Sequence, residues 1–421
     1  MNIENGITPA FDSFIEEMKW RGFFQQCTDE DGLTKLLADE STTGYIGFDP
    51  TADSLHVGSL LPIMGLVHLQ KYGHKPIAIV GGATAMVGDP SGRTELRNMM
   101  THETIEKNLQ GIKGQLSRFI SFGTGASDGM MLNNADWLKD YGYLDFLRDV
   151  GKFFSVNQML TRDSVKSRME AGLSFIEFNY MILQAYDFMV LNRDHGCRLQ
   201  MGGNDQWGNI CSGIDLCRRF NQSEVFGLTF PLLATASGAK MGKSADGAVW
   251  LDAARTSPYD FFQYWVNVDD RDVSRFMRLY TLMPPAEIEK LEKLQGADIR
   301  EAKKVLAREV TTLVHGADEA AAAEKAAAAL FSGGGDESTV PSSKRSGDDF
   351  AGAGLALLDA LVDTGLMKSK GEARRMIRQK AVRVAGEVVA DETLMLTTDH
   401  IEDGRIALQV GKKRHHHILV G

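Results

Sequence analysis

The fold is decided by one stretch of sequence between residues 44 and 80, GYIGFDPTADSLHVGSLLPIMGLVHLQKYGHKPIAIV. It joins two β-rich runs, 44–48 and 76–80, through a longer amphipathic segment, 58–72, which is the βαβ pattern of a parallel sheet. The alternation continues along the chain, with strands predicted at 130–133, 197–201 and 225–233 and helices at 174–191 and 207–220. We therefore predict an α/β domain whose ligands bind at the carboxyl ends of its strands.

The pattern changes twice beyond this region. Residues 268–331 read as helices only and end in an alanine-rich segment, 320–329, of high helix propensity. Residues 332–350 are rich in glycine, serine and charge, which is typical of a flexible linker. A third compact unit follows at 351–421.

The overall charge disfavours a nucleic-acid partner, because 46 basic residues face 56 acidic ones over 421 residues, a net charge of −10. The charge is unevenly distributed, since residues 351–421 hold 11 basic and 9 acidic residues. The four cysteines show no C-x-x-C spacing, so we expect a reduced, cytoplasmic protein without a structural metal. Residues 1–18 carry acidic residues and neither a basic cluster nor an apolar core, so we expect neither secretion nor mitochondrial import. The longest apolar stretch is too short to cross a bilayer.

The first candidate site follows the strand at 44–48, where His56-Val-Gly58-Ser59 precedes a helix. Proline is tolerated only in the first turn of a helix, so Pro62 requires the helix to begin near Gly58. Thr51 and His56 then lie at a helix N-terminus, which favours a phosphate. A helix-capping histidine beside a tight turn is the simpler alternative.

The second candidate site is a glycine-containing loop, Ala239-Lys240-Met-Gly242-Lys243-Ser244. The P-loop pattern fails here, because Ser237 stands where it requires glycine. Two lysines on such a loop suit a polyphosphate that gains charge during reaction, although an exposed lysine loop is more often plain surface.

The third candidate site is on the helix predicted at 174–191, which begins with a capping box of Ser174 and Glu177. Tyr180, Gln184 and Asp187 form a polar stripe along one face of this helix. A polar stripe on an otherwise apolar helix is either exposed to solvent or lines a pocket, and the use of Tyr, Gln and Asp rather than Lys and Glu favours the pocket.

The first two motifs together resemble the HIGH and KMSKS signatures of class I aminoacyl-tRNA synthetases. The polar stripe, the sequence GGNDQWGN at 202–209, Tyr45 before GFDPT and Asp89 in GDPSGR are similar to bacterial tyrosyl-tRNA synthetases. Ser59 and Gly242 depart from the general class I signatures, in a manner that resembles ordinary variants of the tyrosyl enzymes.

The resemblance implies a role for each matching residue. Tyr45 and Asp187 would hydrogen-bond the phenol of L-tyrosine, and Tyr180, Gln184 and Asp89, with Gln206 nearby, would hold its ammonium. Gly203 and Asp205 would meet the ribose of ATP, with Asp49, His56 and Gly58 also binding the nucleotide. The phosphates would be served by Thr51, His56, Lys240, Lys243, Arg93 and Arg97, of which Arg93 and Arg97 are alternatively contacts for tRNA.

The resemblance also implies an activity, its partners and a domain organisation. The expected enzyme is a homodimer that activates L-tyrosine with ATP, accompanied by Mg²⁺, and then charges tRNA(Tyr), without binding DNA or a membrane. Its parts would be a Rossmann-like catalytic domain with a connective insertion (1–235), a KMSKS-type loop and junction (236–267), an α-helical anticodon-binding domain (268–331), a linker (332–350) and a small α+β RNA-binding domain (351–421). A tryptophanyl relative and an inactive synthetase-like RNA-binding protein remain alternatives.

The last of these domains resembles the S-four RNA-binding domain. A capping box of Ser369 and Glu372 opens a short helix that leaves a basic set for the surface: Lys370, Arg374, Arg375, Arg378 and Lys380. The three histidines at 415–417 are followed by an apolar run, so we expect a final strand there rather than a metal site.

Overall fold

The computed structural model describes residues 9–91, 100–169, 172–238, 241–244, 247–331, 341–411 and 414–421. The chain divides into two compact units, Met1–Glu324 and Lys325–Gly421. Within the described residues, no helix is both long and apolar enough to span a membrane.

The first unit combines short strands with a larger number of helices. Its strands are β1 (Gln26–Cys27), β2 (Thr43–Phe48), β3 (Lys75–Val80), β4 (Met130–Asn133), β5 (Cys197–Gly203), β6 (Phe226–Phe230), β7 (Lys243–Ser244) and β8 (Gly247–Ala248). Its helices are α1 (Phe14–Arg21), α2 (Glu30–Asp39), α3 (Leu60–Lys71), α4 (His102–Leu116), α5 (Ala135–Leu138), α6 (Tyr143–Asp149), α7 (Val156–Leu160), α8 (Asp163–Met169), α9 (Phe175–His195), α10 (Trp207–Phe220), α11 (Pro258–Val266), α12 (Val273–Tyr280), α13 (Pro285–Leu291), α14 (Ile299–His315) and α15 (Ala317–Phe331), the last of which continues into the second unit.

The main sheet of the first unit has the order β1-β6-β5-β2-β3-β4. All neighbouring strands run parallel except β1, which is antiparallel to β6 at the edge. The predicted α/β class is therefore confirmed. The chain leaves β2 toward β3 on one side and later returns as β5 on the other, so a crevice opens between the carboxyl ends of β2 and β5.

Helix α3 packs closely against this sheet. It begins after a 3-10 turn, Val57–Ser59, and Pro62 lies in its first turn as predicted. A Cβ atom on Gly65 would come within 2.6 Å of the Phe230 ring, so only glycine permits the close approach of the helix to β6. The motif that precedes α3 is thereby fixed relative to the strand ends.

Helix α9 begins with the predicted capping box. The Ser174 hydroxyl accepts the Glu177 N–H at 3.3 Å, and the Glu177 carboxylate accepts the Ser174 N–H at 3.2 Å. The helix runs past the predicted end at 191 to His195, and Gly196 with φ of 63° ends it. Its Tyr186, Phe188 and neighbouring side chains belong to one buried core with Tyr45 of β2.

The elements of the second unit form a separate α+β fold with its own core. They are β9 (Ser342–Arg345), β10 (Leu355–Ala356), α16 (Leu357–Asp363), α17 (Lys370–Arg378), β11 (Val382–Val384), β12 (Glu387–Val388), β13 (Met395–Leu396), β14 (Arg405–Val410) and β15 (Arg414–Val420). The five-stranded sheet has the order β12-β11-β14-β15-β9.

Two predictions for this region have different outcomes. The histidines at 415–417 lie in β15, so the predicted final strand is confirmed. Strand β9 lies inside the range predicted as a linker and pairs in parallel with β15, with Ser342 opposite His417. Residues 342–345 therefore belong to the folded unit, which begins before the predicted boundary at 351. The polar sequence of β9 gave no sign of a strand, because its hydrogen-bond partner, β15, lies about seventy residues later in the chain.

Candidate active site

A cleft of about 1140 Å³, part of it open to solvent, lies at the carboxyl ends of β2 and β5. Nine of the residues singled out in the sequence line it: Tyr45, Asp49, Asp89, Tyr180, Gln184, Asp187, Gly203, Asp205 and Gln206. They come from β2, from the segment after β3, from α9 and from the end of β5 with the turn that follows it. The parallel sheet thus brings together residues that are far apart in the sequence.

Two buried polar groups of the cleft, which we call the deep pair, belong to Tyr45 and Asp187. The Tyr45 side chain is buried, and its hydroxyl has no hydrogen-bond partner among the described residues. The Asp187 carboxylate accepts one bond on each oxygen, from Asn134 Nδ2 at 3.0 Å and from Trp137 Nε1 at 2.8 Å. The two donors fix the orientation of the carboxylate and leave lone pairs for a ligand.

Burial governs the electrostatics of this pair. It raises the pKa of Asp187 from 3.8 to about 7, although the hydrogen bonds from Asn134 and Trp137 act in the opposite direction. Burial also raises the pKa of Tyr45 well above its ordinary value, and the nearby Asp187 carboxylate adds to the rise. Near neutral pH, Tyr45 therefore keeps its proton and can donate it in a hydrogen bond.

A second polar cluster surrounds Asp89. Its carboxylate accepts the Gln206 Nε2 amide at 2.8 Å and the Ser91 N–H at 2.8 Å. Asn209 Nδ2 donates to Gln206 Oε1 at 3.2 Å and to Gln184 Oε1 at 2.9 Å, so these side chains form one connected network. Gln184 and Gln206 both line the cleft beside the Asp89 carboxylate.

The Asp89 carboxyl is perturbed mainly by burial. Burial, with a contribution from the Asp49 carboxylate, raises its pKa from 3.8 to about 6. A cation bound beside it would reverse this effect, because an opposite charge favours the ionised form. The cluster therefore suits an ammonium group.

The structure brings the His56 motif and the lysine loop together. The Val57 N–H donates to the Val249 carbonyl at 2.9 Å, and the His56 ring lies edge-on to the Trp250 ring at 6.2 Å. Gly242 has φ of 79°, and a Cβ atom there would lie 2.7 Å from the Gly58 nitrogen. This contact explains why glycine replaces the serine of the general signature.

The histidine also caps the turn that follows it, as the simpler alternative proposed. His56 Nδ1 accepts the Gly58 N–H at 3.0 Å. A Cβ atom on Gly58 would lie 2.7 Å from the His56 ring, so glycine at this position makes room for the histidine itself.

The remaining predicted residues are placed less completely. Thr51 is exposed just beyond β2, and Lys243 lies in β7, where only its backbone is described. Lys240, Arg93 and Arg97 lie outside the described residues.

Sequence reasoning assigned no role to four residues in or beside the cleft, although one of them, Asn209, ends the GGNDQWGN motif. Asn134 and Trp137 orient Asp187, Asn209 links Gln206 to Gln184, and the buried Gln200 lines the cleft with an Oε1 atom that lacks a partner within the described chain. The signal for the first two was their position directly after the predicted strand at 130–133, at the same sheet edge as the other candidates.

Comparisons with known proteins show the family to which the chain belongs. Residues 38–332 match the family model for class I tRNA synthetases (W and Y), and residues 338–418 match that for the tyrosine–tRNA ligase SYY-like C-terminal domain. The tyrosine–tRNA ligase of Desulfosudis oleivorans is 49% identical over 97% of this chain and 99% of its own length. That of Nitrobacter winogradskyi is 51% identical over 96% and 98%. A truncated mitochondrial tyrosyl-tRNA synthetase of Aspergillus nidulans, solved by crystallography, is 32% identical with a TM-score of 0.69, covering 76% of this chain and 95% of its own.

Proposed function

Because the chain belongs to the class I tRNA synthetases for tryptophan and tyrosine, we propose that the cleft between β2 and β5 is where it carries out its reaction. The protein is a tyrosine–tRNA ligase: it activates L-tyrosine with ATP to tyrosyl-adenylate and pyrophosphate, then transfers tyrosine to the 3′ end of tRNA(Tyr). The observation that carries the assignment to this cleft is the buried Tyr45 hydroxyl, unpartnered in the described part of the chain, near the oriented Asp187 carboxylate.

The deep pair binds the phenol of the substrate. Tyr45 donates its hydroxyl hydrogen to the phenol oxygen, and the phenol donates to Asp187. Phenylalanine would leave the buried Tyr45 hydroxyl without a partner, which costs about 1–3 kcal/mol, and would bring no donor to the Asp187 carboxylate. Selectivity for tyrosine follows from this cost.

The cluster around Asp89 holds the amino group. The ammonium of tyrosine lies against Asp89, Tyr180 and Gln184, with Gln206 alongside. Asn209 supports it indirectly, because its amide bonds fix the side-chain oxygens of Gln184 and Gln206 toward the same place.

The wider part of the cleft receives ATP, with Mg²⁺ arriving as its counterion. Gly203 and Asp205 meet the ribose, and Asp49, Gly58 and His56 lie beside the nucleotide. Thr51, His56, Lys240 and Lys243 serve the phosphates, and Arg93 and Arg97 are further phosphate or tRNA contacts. The support for this set is the packing of Gly242 against Gly58, which brings the lysine loop to the start of α3.

The chemistry needs alignment more than acid–base catalysis. The tyrosine carboxylate is ionised at neutral pH and attacks the α-phosphate directly, expelling pyrophosphate. The barrier falls because the reactants are held in place and because cations stabilise the charge that grows on the leaving group. Lysines that engage mainly in the transition state raise the rate instead of only tightening ATP binding.

The parts of the chain that follow the catalytic region in sequence, residues 268–331 and 351–421, bind the tRNA. The helices at 268–331 bind the anticodon region, and residues 351–421 bind tRNA through the exposed basic set on and after α17: Lys370, Arg374, Arg375, Arg378 and Lys380. Two acidic residues already pair with part of this set, since Asp359 contacts Lys370 and Glu392 contacts Arg378 and Arg374. Arg375 and Lys380, which have no ion pair in the described residues, are therefore the strongest candidates.

The protein acts in the cytoplasm as a homodimer. The segment from α6 to the first turn of α9 exposes a set of large apolar side chains: Tyr143, Leu144, Leu147, Val156, Leu160, Met169, Phe175 and Ile176. Leu144 is 77% exposed and Phe175 69%, which is unusual for a monomer surface. Sedimentation of the Leu144→Glu variant should show monomers, whereas Val388→Glu, at an exposed apolar site in the other unit, should leave the dimer intact.

The test of the whole proposal is exchange of labelled pyrophosphate into ATP. Exchange should depend on L-tyrosine and should be far weaker with phenylalanine or tryptophan. Equal exchange with phenylalanine would contradict the assignment of Tyr45 and Asp187. Preference for tryptophan would revive the tryptophanyl alternative, and the absence of any exchange would revive the inactive RNA-binding one.

A further inference from the structure

The backbone before the lysine loop is tied to the start of α12. The Ala236 N–H donates to Asp272 Oδ2 at 2.7 Å. Arg275 Nη2 donates to the Ala234 carbonyl at 2.7 Å and to Asp272 Oδ1 at 2.7 Å. We call Asp272 and Arg275 the stem clamp, because they bond the Ala236 N–H and the Ala234 carbonyl of the stem, residues 234–236, which precedes the lysine segment, residues 237–244.

The burial of Asp272 shows that the clamp is more than a surface ion pair. Asp272 is only 3% exposed, and both of its oxygens are used. A buried carboxylate is costly unless its partners are in place, so this stem geometry and the Asp272 carboxylate stabilise each other. The neighbouring pair of Arg271, which is exposed, and Asp269, which is partly exposed, has no hydrogen bond to the stem among the described residues.

The other end of the lysine segment is also held by a helix. The Gly242 N–H donates to the Tyr264 hydroxyl of α11 at 3.4 Å, and Met241 is buried. Gly242 in turn packs against Gly58 at the start of the 3-10 turn before α3. The described residues on either side of positions 239–240 are thus each bonded to an element that follows them in the chain, Ala234 and Ala236 to the start of α12 and Gly242 to α11.

We propose that Asp272 and Arg275 are positioning residues for the adenylation step. By fixing residues 234–236, they set where the lysine segment meets the phosphates as charge builds on pyrophosphate. They lie outside the residues that line the cleft and contact no substrate. The inference rests on the proposed function, because it assigns Lys240 and Lys243 to the phosphates.

The clamp is tested with Asp272→Asn and Arg275→Met in the full chain. Asparagine replaces one of the two carboxylate oxygens, each of which accepts one bond, with an NH2 donor, and methionine can donate neither bond. The turnover of tyrosine-dependent pyrophosphate exchange should fall roughly ten- to a hundredfold through misplacement of the loop. The KM for tyrosine should stay unchanged, Arg275→Lys should restore part of the rate, and the double variant should lose no more than Asp272→Asn alone.

The matched control is Arg271→Met, which removes an arginine from the same turn but touches only the Asp269 pair. A second readout does not need activity: trypsin should cut after Lys240 and Lys243 faster in the two clamp variants than in Arg271→Met, with the sites identified by mass spectrometry. Turnover or cleavage rates equal to those of the control overturn the proposal, as does a fall in turnover matched by lost tyrosine affinity. If the unmodified protein shows no exchange, the proposed function fails, and the tryptic comparison alone decides the clamp.

Discussion

Replacing Tyr45 with phenylalanine separates the stability of the fold from recognition of the substrate. The substitution removes one oxygen from a buried side chain and leaves the ring, which packs at 5.3 Å from Phe188, in place. Since the hydroxyl has no partner in the described residues, the free protein loses no hydrogen bond. The substitution only removes the unfavourable free energy of burying an unsatisfied hydroxyl.

The structure gives the sign and size of both effects. Relief of the unsatisfied hydroxyl should raise the free energy of unfolding by about 1 kcal/mol. Loss of one neutral hydrogen bond to the substrate phenol should lower kcat/KM for tyrosine by about 2- to 13-fold, which corresponds to roughly 0.5–1.5 kcal/mol. Activity toward phenylalanine should stay the same or rise, because phenylalanine never offered Tyr45 a partner.

The assay combines urea unfolding without ligand and pyrophosphate exchange with each amino acid. The control is Tyr186→Phe, which removes the hydroxyl of a buried tyrosine on α9 that belongs to the same core but does not line the cleft. Tyr186→Phe should leave the ratio of tyrosine to phenylalanine exchange unchanged. A Tyr45→Phe protein that is less stable and equally selective would refute the reasoning.

Electrostatics and packing lead to three further expectations. Burial raises the pKa of Asp89 in the folded protein from 3.8 to about 6, so the folded protein holds a proton that the unfolded chain has released. The free energy of unfolding without ligand should therefore fall as the pH rises through about 4 to 6, and Asp89→Asn should flatten this pH dependence in urea unfolding. In the unmodified protein, the KM for tyrosine should rise below pH 6. Gly242→Ala should reduce the turnover of pyrophosphate exchange about tenfold more than Gly238→Ala. Both glycines have positive φ, but only a Cβ atom at position 242 would collide with Gly58. Equal losses of turnover would exclude that contact as the cause. Arg375→Glu should weaken tRNA binding and reduce the slope of log affinity against log salt concentration by about 1, while pyrophosphate exchange stays normal. An unchanged slope would show that Arg375 does not contact the RNA.

The parts of the fold that the sequence predicted are those with local signals. The βαβ pattern around β2, α3 and β3 could be read from apolar runs and Pro62, and Ser174 with Glu177 marked the start of α9. The function was predicted through short motifs, each of which lies on one strand end or helix face.

The parts that the sequence did not predict depend on long-range contacts. Asn134 and Trp137 orient a carboxylate about fifty positions away, and no periodicity connects them to Asp187. The polar run Ser342–Arg345 resembles a linker because its partner strand lies at the far end of the same unit. Burial also changes the properties of a residue type, as with the Asp187 carboxyl, whose pKa of about 7 depends on surroundings assembled only by folding.

The parallel pairing of β9 with β15 has a consequence for synthesis on the ribosome. Ser342 bonds beside His417, so β9 has no neighbour until the whole of the second unit has emerged. The strands of the main sheet in the first unit, in contrast, all precede residue 231 and can assemble while translation continues. A chain interrupted before β15 would therefore present a folded first unit followed by an incomplete sheet, whose unpaired strand edges are templates for pairing with other chains and so for aggregation.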